Sequence, residues 1–286
     1  MNGQDSLKTP ILVLGATSLI GGFLLDRLRA LDLAPIAVSR RPPGADLCWL
    51  DADLSDPDLV DGLPPVATVF SLSPIWLLPQ ALPALKARGM NRLVAFSSTS
   101  RFSKTDSPIA AERAVAQALI DAEASIEAWC SDNDVAWTIL RPTLIYAEGR
   151  DGNVSRLAAL IRRLRVLPLS GTGQGLRQPV HADDLAAGAV LAAGAAATAG
   201  RAYALVGGET LTYRVMAERV FAGLGRRPLI LPLPPGLFAL ALRLAAPLLP
   251  GANPAMGDRM ARDLTFDDAE ARRDFGWSPR GFHPRF

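Results

Sequence analysis

Gly15 and Gly21 stand in the stretch ILVLGATSLIGG, residues 11–22, with Ser18 midway between them. A short apolar strand that enters a glycine turn and opens a helix can bind a pyrophosphate. The first glycine makes the turn, and the middle position lets backbone approach the phosphates. The third lets the helix pack on the strand, with the helix N-terminus facing the negative charge. Gly15 and Gly21 keep the outer roles, while Ser18 places a small side chain that either crowds the phosphate or donates a hydrogen bond to it. Thr17, Ser18, Leu19 and Ile20, with the two glycines, are therefore expected to hold a dinucleotide. The plainer reading is a tight strand-to-helix turn; the clear strand before it and helix after it favour the ligand.

The end of the second strand chooses between cofactors. An acidic residue there would hold the ribose hydroxyls of NAD(H). The sequence instead reads VSRR, with Ser39, Arg40 and Arg41 and no acid. A guanidinium keeps its charge and pairs with phosphate, so NADP(H) is favoured over NAD(H). The alternative is a pair of solvated loop arginines.

These residues need a scaffold, and the pattern supplies one. ILVLG, APIAVSR, TVFSLSP, RLVAFSS and AWTILRP read as buried strands, alternating with the helical stretches IGGFLLDRLRAL, LPQALPALKARGM and residues 111–133. That alternation predicts an α/β fold: a Rossmann-type doubly wound parallel sheet with right-handed crossovers. Residues 1–145 are expected to form mainly the dinucleotide domain and 146–286 mainly a small C-terminal substrate lobe. Segments around 176–206 are expected to return to the core. VSRLAALIRRLRVLPL reads as one helix, and GLFALALRLAAPLLPG (236–251) as a core-facing or partner-facing helix, too short for a bilayer and interrupted by Arg243 and Pro247.

Of 286 residues, 49% are hydrophobic and 20% charged, as in a globular chain with a large core. A net charge of +2 gives no reason to expect nucleic acid or an anionic membrane as partner. Cys48 and Cys130, far apart and unaccompanied by ligand clusters, argue against disulfides and metals and for a reducing, cytoplasmic setting. A small-molecule substrate is the expected partner, with a homodimer as an open arrangement.

The chain resembles the extended or atypical short-chain dehydrogenases/reductases of the nucleotide-sugar epimerase/dehydratase type. VLGATSLIGG, DADL, FSLSP, FSST, ILRPTLIYAEG, LRQPVHADDLA, GGETLTYRVMAERVFAGLG and FGWSP carry the resemblance. It implies that Asp53 and Leu54 flank the adenine, and that Ser71, Leu72, Ser73 and Ser97 line the cofactor. Thr99 would polarise a substrate oxygen, and Arg177 would contact a substrate pyrophosphate.

One feature of that family is missing. Its members use a Tyr and, four residues on, a Lys that tunes the Tyr for proton exchange. Counting back from ILRP puts these positions at Leu119 and Glu123. Tyrosine occurs only at 146, 203 and 213, followed four residues later by Arg150, Gly207 and Ala217. Thr99, Tyr146 and Lys104 are the groups nearest the expected chemistry; Thr99 and Tyr146 are the candidate catalytic pair, although Tyr146 also reads as structural. Two functions follow. One is an NADP(H)-dependent reductase or nucleotide-sugar-modifying enzyme with a non-standard proton donor. The other is a non-catalytic NADP(H)-binding redox sensor or scaffold.

Overall fold

The computed structural model describes residues 7–42, 48–56, 62–245, 257 and 260–286. The strands β1 (Ile11–Leu14), β2 (Ile36–Ser39), β3 (Trp49–Asp51), β4 (Thr68–Ser71), β5 (Arg92–Phe96) and β6 (Ala136–Pro142) lie in one sheet. The short strands β7 (Ile145–Tyr146), β8 (Leu167–Ser170), β9 (Leu176–Arg177) and β10 (Val180–His181) then build outside it. The chain returns as the sheet's edge strand β11 (Arg201–Leu205), before β12 (Leu211–Thr212) and β13 (Ile230–Leu233). The sheet order is β11-β6-β5-β4-β1-β2-β3, every pairing is parallel, and the order reverses between β1 and β4. This is a Rossmann-like fold, and that reversal is where such sheets open a crevice at their strand ends.

Side chains alternate across each strand, so the sheet feeds two cores. Ile11, Val13, Phe70, Val94 and Leu140 face the layer of α1 (Gly21–Ala30), which buries Leu24, Leu25 and Leu28. Leu12, Leu14, Val69, Leu93 and Ile139 face the other layer. There lie α2 (Leu78–Ala87) and, past the short α3 (Ser100–Ser103), the long α4 (Ala110–Asp132), burying Leu119, Ile126 and Cys130. Burial on both faces explains why these strands read as continuous apolar runs.

Arg92 at the start of β5 is an exception to the apolar interior. Its buried guanidinium donates to the carbonyls of Leu93, Ala136, Ala192 and Ala193 and to the hydroxyls of Thr138 and Thr198. Burial pulls its pKa down to about 10. The side chain ties β5 and β6 to the end of α6 (Ala182–Gly194).

A third core, with Leu157, Ile161, Met216, Phe221, Phe238 and Phe282, joins α5 (Val154–Leu164), α7 (Tyr213–Gly223) and α8 (Pro235–Ala245) in a lobe over the strand ends. The last helix, α9 (Ala269–Phe275), packs Ala271 and Phe275 back against the sheet. One expected helix is shorter than its pattern: α5 stops at Leu164, Arg165 turns left-handed at φ 61°, and Leu167–Ser170 is a strand paired with β13. Pro168 cannot continue a helix, and a four-residue apolar run has no period of its own to announce a strand. The expected helix over 236–251 is seen to Ala245; residues 246–251 lie outside the described residues.

Candidate functional site

The turn after β1 is built by its own contacts. Gly15 has φ 68°, and a Cβ there would meet the Ser73 backbone nitrogen at 2.7 Å. At Gly21 a Cβ would stand 2.1 Å from the Ala16 carbonyl oxygen, so the helix closes on the turn only with glycine. Ser18 Oγ accepts a hydrogen bond from the Gly21 amide at 3.2 Å, which leaves its own hydrogen to give. The amides of Leu19 and Ile20 make no hydrogen bond among the described residues, at the N-terminus of a ten-residue helix. Unpaired donors at that place can donate to anionic oxygens.

Around the turn, Thr17 Oγ1 lies 3.2 Å from Ser39 Oγ, which also accepts from the Arg41 amide. Arg40 and Arg41 are exposed at the end of β2. Hydrogen bonds from the Ser55 amide and hydroxyl, and then the charge of Arg40, hold the Asp53 carboxyl below its ordinary value. Leu54 is buried, its carbonyl accepting from Gln80 Nε2 at 2.9 Å. These groups together surround the edge where an adenine ribose would lie.

Beside the turn opens a cavity of about 380 Å³, lined by Ser18, Leu19, Ile20, Leu72, Ser73, Ser97, Ser98 and Leu119, among others. Ser71, one residue back on β4, lines no cavity described here; its hydroxyl is buried without a partner. A nicotinamide dinucleotide fits these residues, with the free amides and Ser18 for the pyrophosphate and the cavity for the nicotinamide end.

The same cavity shows what stands where a proton donor is expected. Leu119 forms part of its wall and brings no titratable group. One turn along α4, Glu123 is 1% exposed and accepts from Ser97 Oγ, Arg101 and Arg141, with Arg141 Nη2 at 2.6 Å. The carboxylate thus draws together the end of β5, α3 and the Arg-Pro strand β6. Two guanidiniums around one carboxylate give the cluster a positive balance, with the Arg101 Nε buried and without a hydrogen-bond partner.

A second, larger cavity of about 890 Å³ lies under the lobe. It shares Ser98, Ser100 and Ile145 with the first, so the two meet at the end of β5. Thr99 lines it, but its hydroxyl donates to the Pro142 carbonyl at 3.0 Å and the residue is buried. Ser98, which the sequence did not single out, accepts from the Ser100 amide at 3.1 Å and keeps its hydrogen for a ligand. Its neighbours in FSST carry the family resemblance equally, so only the side-chain orientation separates them.

Tyr146 lines neither cavity. Its ring is buried edge-on between His181, at 5.0 Å, and Phe282, at 4.9 Å, and burial pushes its hydroxyl well above the ordinary range. His181 caps α6, its Nδ1 accepting from the Asp183 amide while Nε2 meets Glu148 at 3.1 Å. Arg177 does reach the large cavity, with Nη1 donating to the carbonyls of Leu176 and Arg262 and the guanidinium over the Tyr213 ring. Asp183 and Asp184, the acids next to it in sequence, pair with Arg27 and Arg280 instead.

Residues 79–205 match the family described as NAD dependent epimerase/dehydratase. A 2-alkyl-3-oxoalkanoate reductase of Stenotrophomonas maltophilia is 28% identical over 232 residues, 70% of this chain and 67% of that protein. An uncharacterized protein of Sinorhizobium fredii, y4nG, is 32% identical over 148 residues, 51% of this chain. This chain spans only 36% of y4nG's length. Among solved structures, MoeE5 in complex with UDP-glucose and NAD superposes with a TM-score of 0.73 at 22% identity, covering 96% of this chain and 94% of that one. That likeness shows the shared fold. No group of His, Cys, Asp and Glu suited to a metal occurs among the described residues, and no described helix is long and apolar enough to cross a membrane.

Proposed function

We propose that the protein is an NADP(H)-dependent reductase of the atypical short-chain type, working without the Tyr and Lys pair. The observation that carries this is the junction of two cavities at Ser98: one runs along the glycine turn, the other opens under the lobe. A dinucleotide held along the glycine turn would supply hydride to a substrate's carbonyl carbon at that junction and be oxidised. Ser98 would pass its hydroxyl proton to the oxygen and regain one from water. Ser98 is the hydroxyl oriented to hydrogen-bond that oxygen, with Thr99 beside it held by Pro142. The buried Tyr146 is assigned a structural part.

A serine hydroxyl is a weak acid, so plain ketones and sugar hydroxyls should react slowly. Activated enones and protonated imines, which ask less of a donor, should react faster. Arg40 supports the choice of NADP(H), because its exposed guanidinium at the end of β2 makes no ion pair among the described residues. The second reading, a non-catalytic NADP(H)-binding sensor or scaffold, is favoured by one specific fact: Leu119 occupies the wall where a proton donor would stand. Nucleotide-sugar modification, suggested by MoeE5, fares less well because the large cavity offers few uncommitted polar side chains.

The test is an NADPH-oxidation screen over enones, imines, 3-oxoacids, ketones and nucleotide sugars, repeated with Ser98→Ala, Thr99→Val and Tyr146→Phe. Ser98→Ala should lower kcat about a hundredfold, the lower end of what a positioned acid contributes, and Tyr146→Phe should leave it nearly unchanged. Rapid turnover of a nucleotide sugar, untouched by Ser98→Ala and Thr99→Val, would place the chemistry elsewhere. No oxidation with any class would leave the sensor reading standing.

A further inference from the structure

We propose that the large cavity takes an anionic molecule with an extended alkyl chain. This rests on the reductase reading for its chemistry and on the cavity alone for its ligand class. Two observations carry it.

The first is what the walls are made of. Leu157, Leu160, Met216, Phe238, Leu242 and Met260, from α5, α7, α8 and the segment after it, surround most of the space. A volume of about 890 Å³ is near the top of the range for small-molecule sites, which runs from about 300 to 1,000 Å³. Burying an alkyl chain against such walls is favourable in proportion to the area it loses to water.

The second is the state of the polar groups. A nucleotide base needs donors and acceptors that its pocket has not already used, since an unmatched buried polar group is costly. Here Thr99 donates to Pro142, Thr143 to the Gln178 carbonyl, and Asn153 Nδ2 to the Ile145 carbonyl. The Gln178 side chain is engaged at both ends, by Thr210 and Phe266. Arg177 is turned onto the carbonyls of Leu176 and Arg262. The acid of the lining, Glu112, accepts from the Ser107 hydroxyl at 2.7 Å, and the charge left to face a ligand is cationic. Lys104 and Arg163 line the cavity and make no ion pair among the described residues. An apolar enclosure with cationic side chains on its boundary matches an alkyl chain ending in a carboxylate or phosphate, with any oxo group near Ser98.

The experiment is calorimetric titration of the NADPH-saturated protein with hexanoate, octanoate, decanoate and dodecanoate, and with dodecyl phosphate, dodecanol, UDP and UDP-glucose. Affinity should rise about threefold to fourfold per added CH₂, the increment expected when each is buried. Dodecanoate or dodecyl phosphate should bind at least tenfold more tightly than UDP-glucose, and the better of the two identifies the head group. Ala241→Trp, which fills the space from a half-buried wall position, should weaken dodecanoate about tenfold. The pair Lys104→Ala and Arg163→Ala should weaken dodecanoate severalfold and leave dodecanol unchanged. Affinity that does not grow with chain length, or UDP-glucose binding more tightly than dodecanoate, overturns the proposal. If dodecanoate binds as described and no probe oxidises NADPH, the ligand class stands and the reductase reading falls. NADPH oxidation by a nucleotide sugar, with no alkanoate binding, does the reverse.

Discussion

The glycine turn and the Ser97 end of the Glu123 cluster border one cavity and use polar groups in opposite ways. At the turn, the amides of Leu19 and Ile20 and the hydroxyl hydrogen of Ser18 are left over by the fold. At Glu123 the carboxylate is answered by Ser97, Arg101 and Arg141 from three other elements. Donors left unpaired at a surface crevice recognise a ligand, whereas a buried set paired within itself holds elements in place. Glu123 is, in this chain, a joint between α4, the end of β5 and β6.

The sharpest way to break that contrast is to remove the joint. Glu123→Ala leaves two partly buried guanidiniums facing each other, and should cost about 3 kcal/mol, the lower end for breaking a buried pair. Denaturant unfolding measures it. A loss below about 1 kcal/mol would show that the cluster is a solvated ion pair. At the end of β2, Arg40→Ala should remove a preference for NADPH over NADH of at least tenfold. One charge-assisted phosphate contact contributes about 1.5–3 kcal/mol. Calorimetry of both nucleotides decides it, and equal affinities in the unmutated protein would refute the choice of cofactor.

Gly15→Ala tests whether the turn depends on its shape. It places a Cβ at φ 68° and against Ser73, and should cost about 1–3 kcal/mol of stability together with much of the dinucleotide affinity. Ser18→Gly is milder. It removes the hydroxyl bonded to the Gly21 amide, about 0.5–1 kcal/mol, and should loosen dinucleotide binding if the free hydrogen reaches the phosphate. Tighter binding would mean that the side chain crowds the ligand instead.

The smallest effect is a pH dependence. Burial raises the Asp183 carboxyl, but its hydrogen bond and charge interactions with Arg280 and Arg27 outweigh that and hold it below its ordinary 3.8. A depressed carboxyl stabilises the fold above its unfolded value and loses that contribution as pH falls through its folded one. The stability gained should therefore be constant above about pH 4 and fade below it. Asp183→Asn should flatten this part of the curve by a few tenths of a kcal/mol, as expected for a pair that is partly screened by water.

The sequence by itself determined the sheet. Strands buried on both faces must be apolar throughout, so β1, β2, β4, β5 and β6 were legible as runs, and the helices between them fixed a parallel order. Gly15, Ser18 and Gly21 were legible because a tight turn restricts residue type locally. Short strands such as β3, β8 and β13 were not, since three or four residues carry no period and their pairing partners lie far along the chain. The site divided along the same line. The expectation that Leu119 and Glu123 fall near the places where the resembling enzymes carry a Tyr and a Lys could be counted from ILRP. That Glu123 is gripped by Arg101 and Arg141, 22 and 18 residues away, needed three elements brought to one point. Likewise FSST offered three hydroxyls in a row, and only the folded chain directs Ser97 to Glu123, Thr99 to Pro142, and leaves Ser98 between two cavities. Local sterics write themselves into a sequence, but the pairing of polar groups across elements is decided by which partners the packed layers bring within about 3 Å.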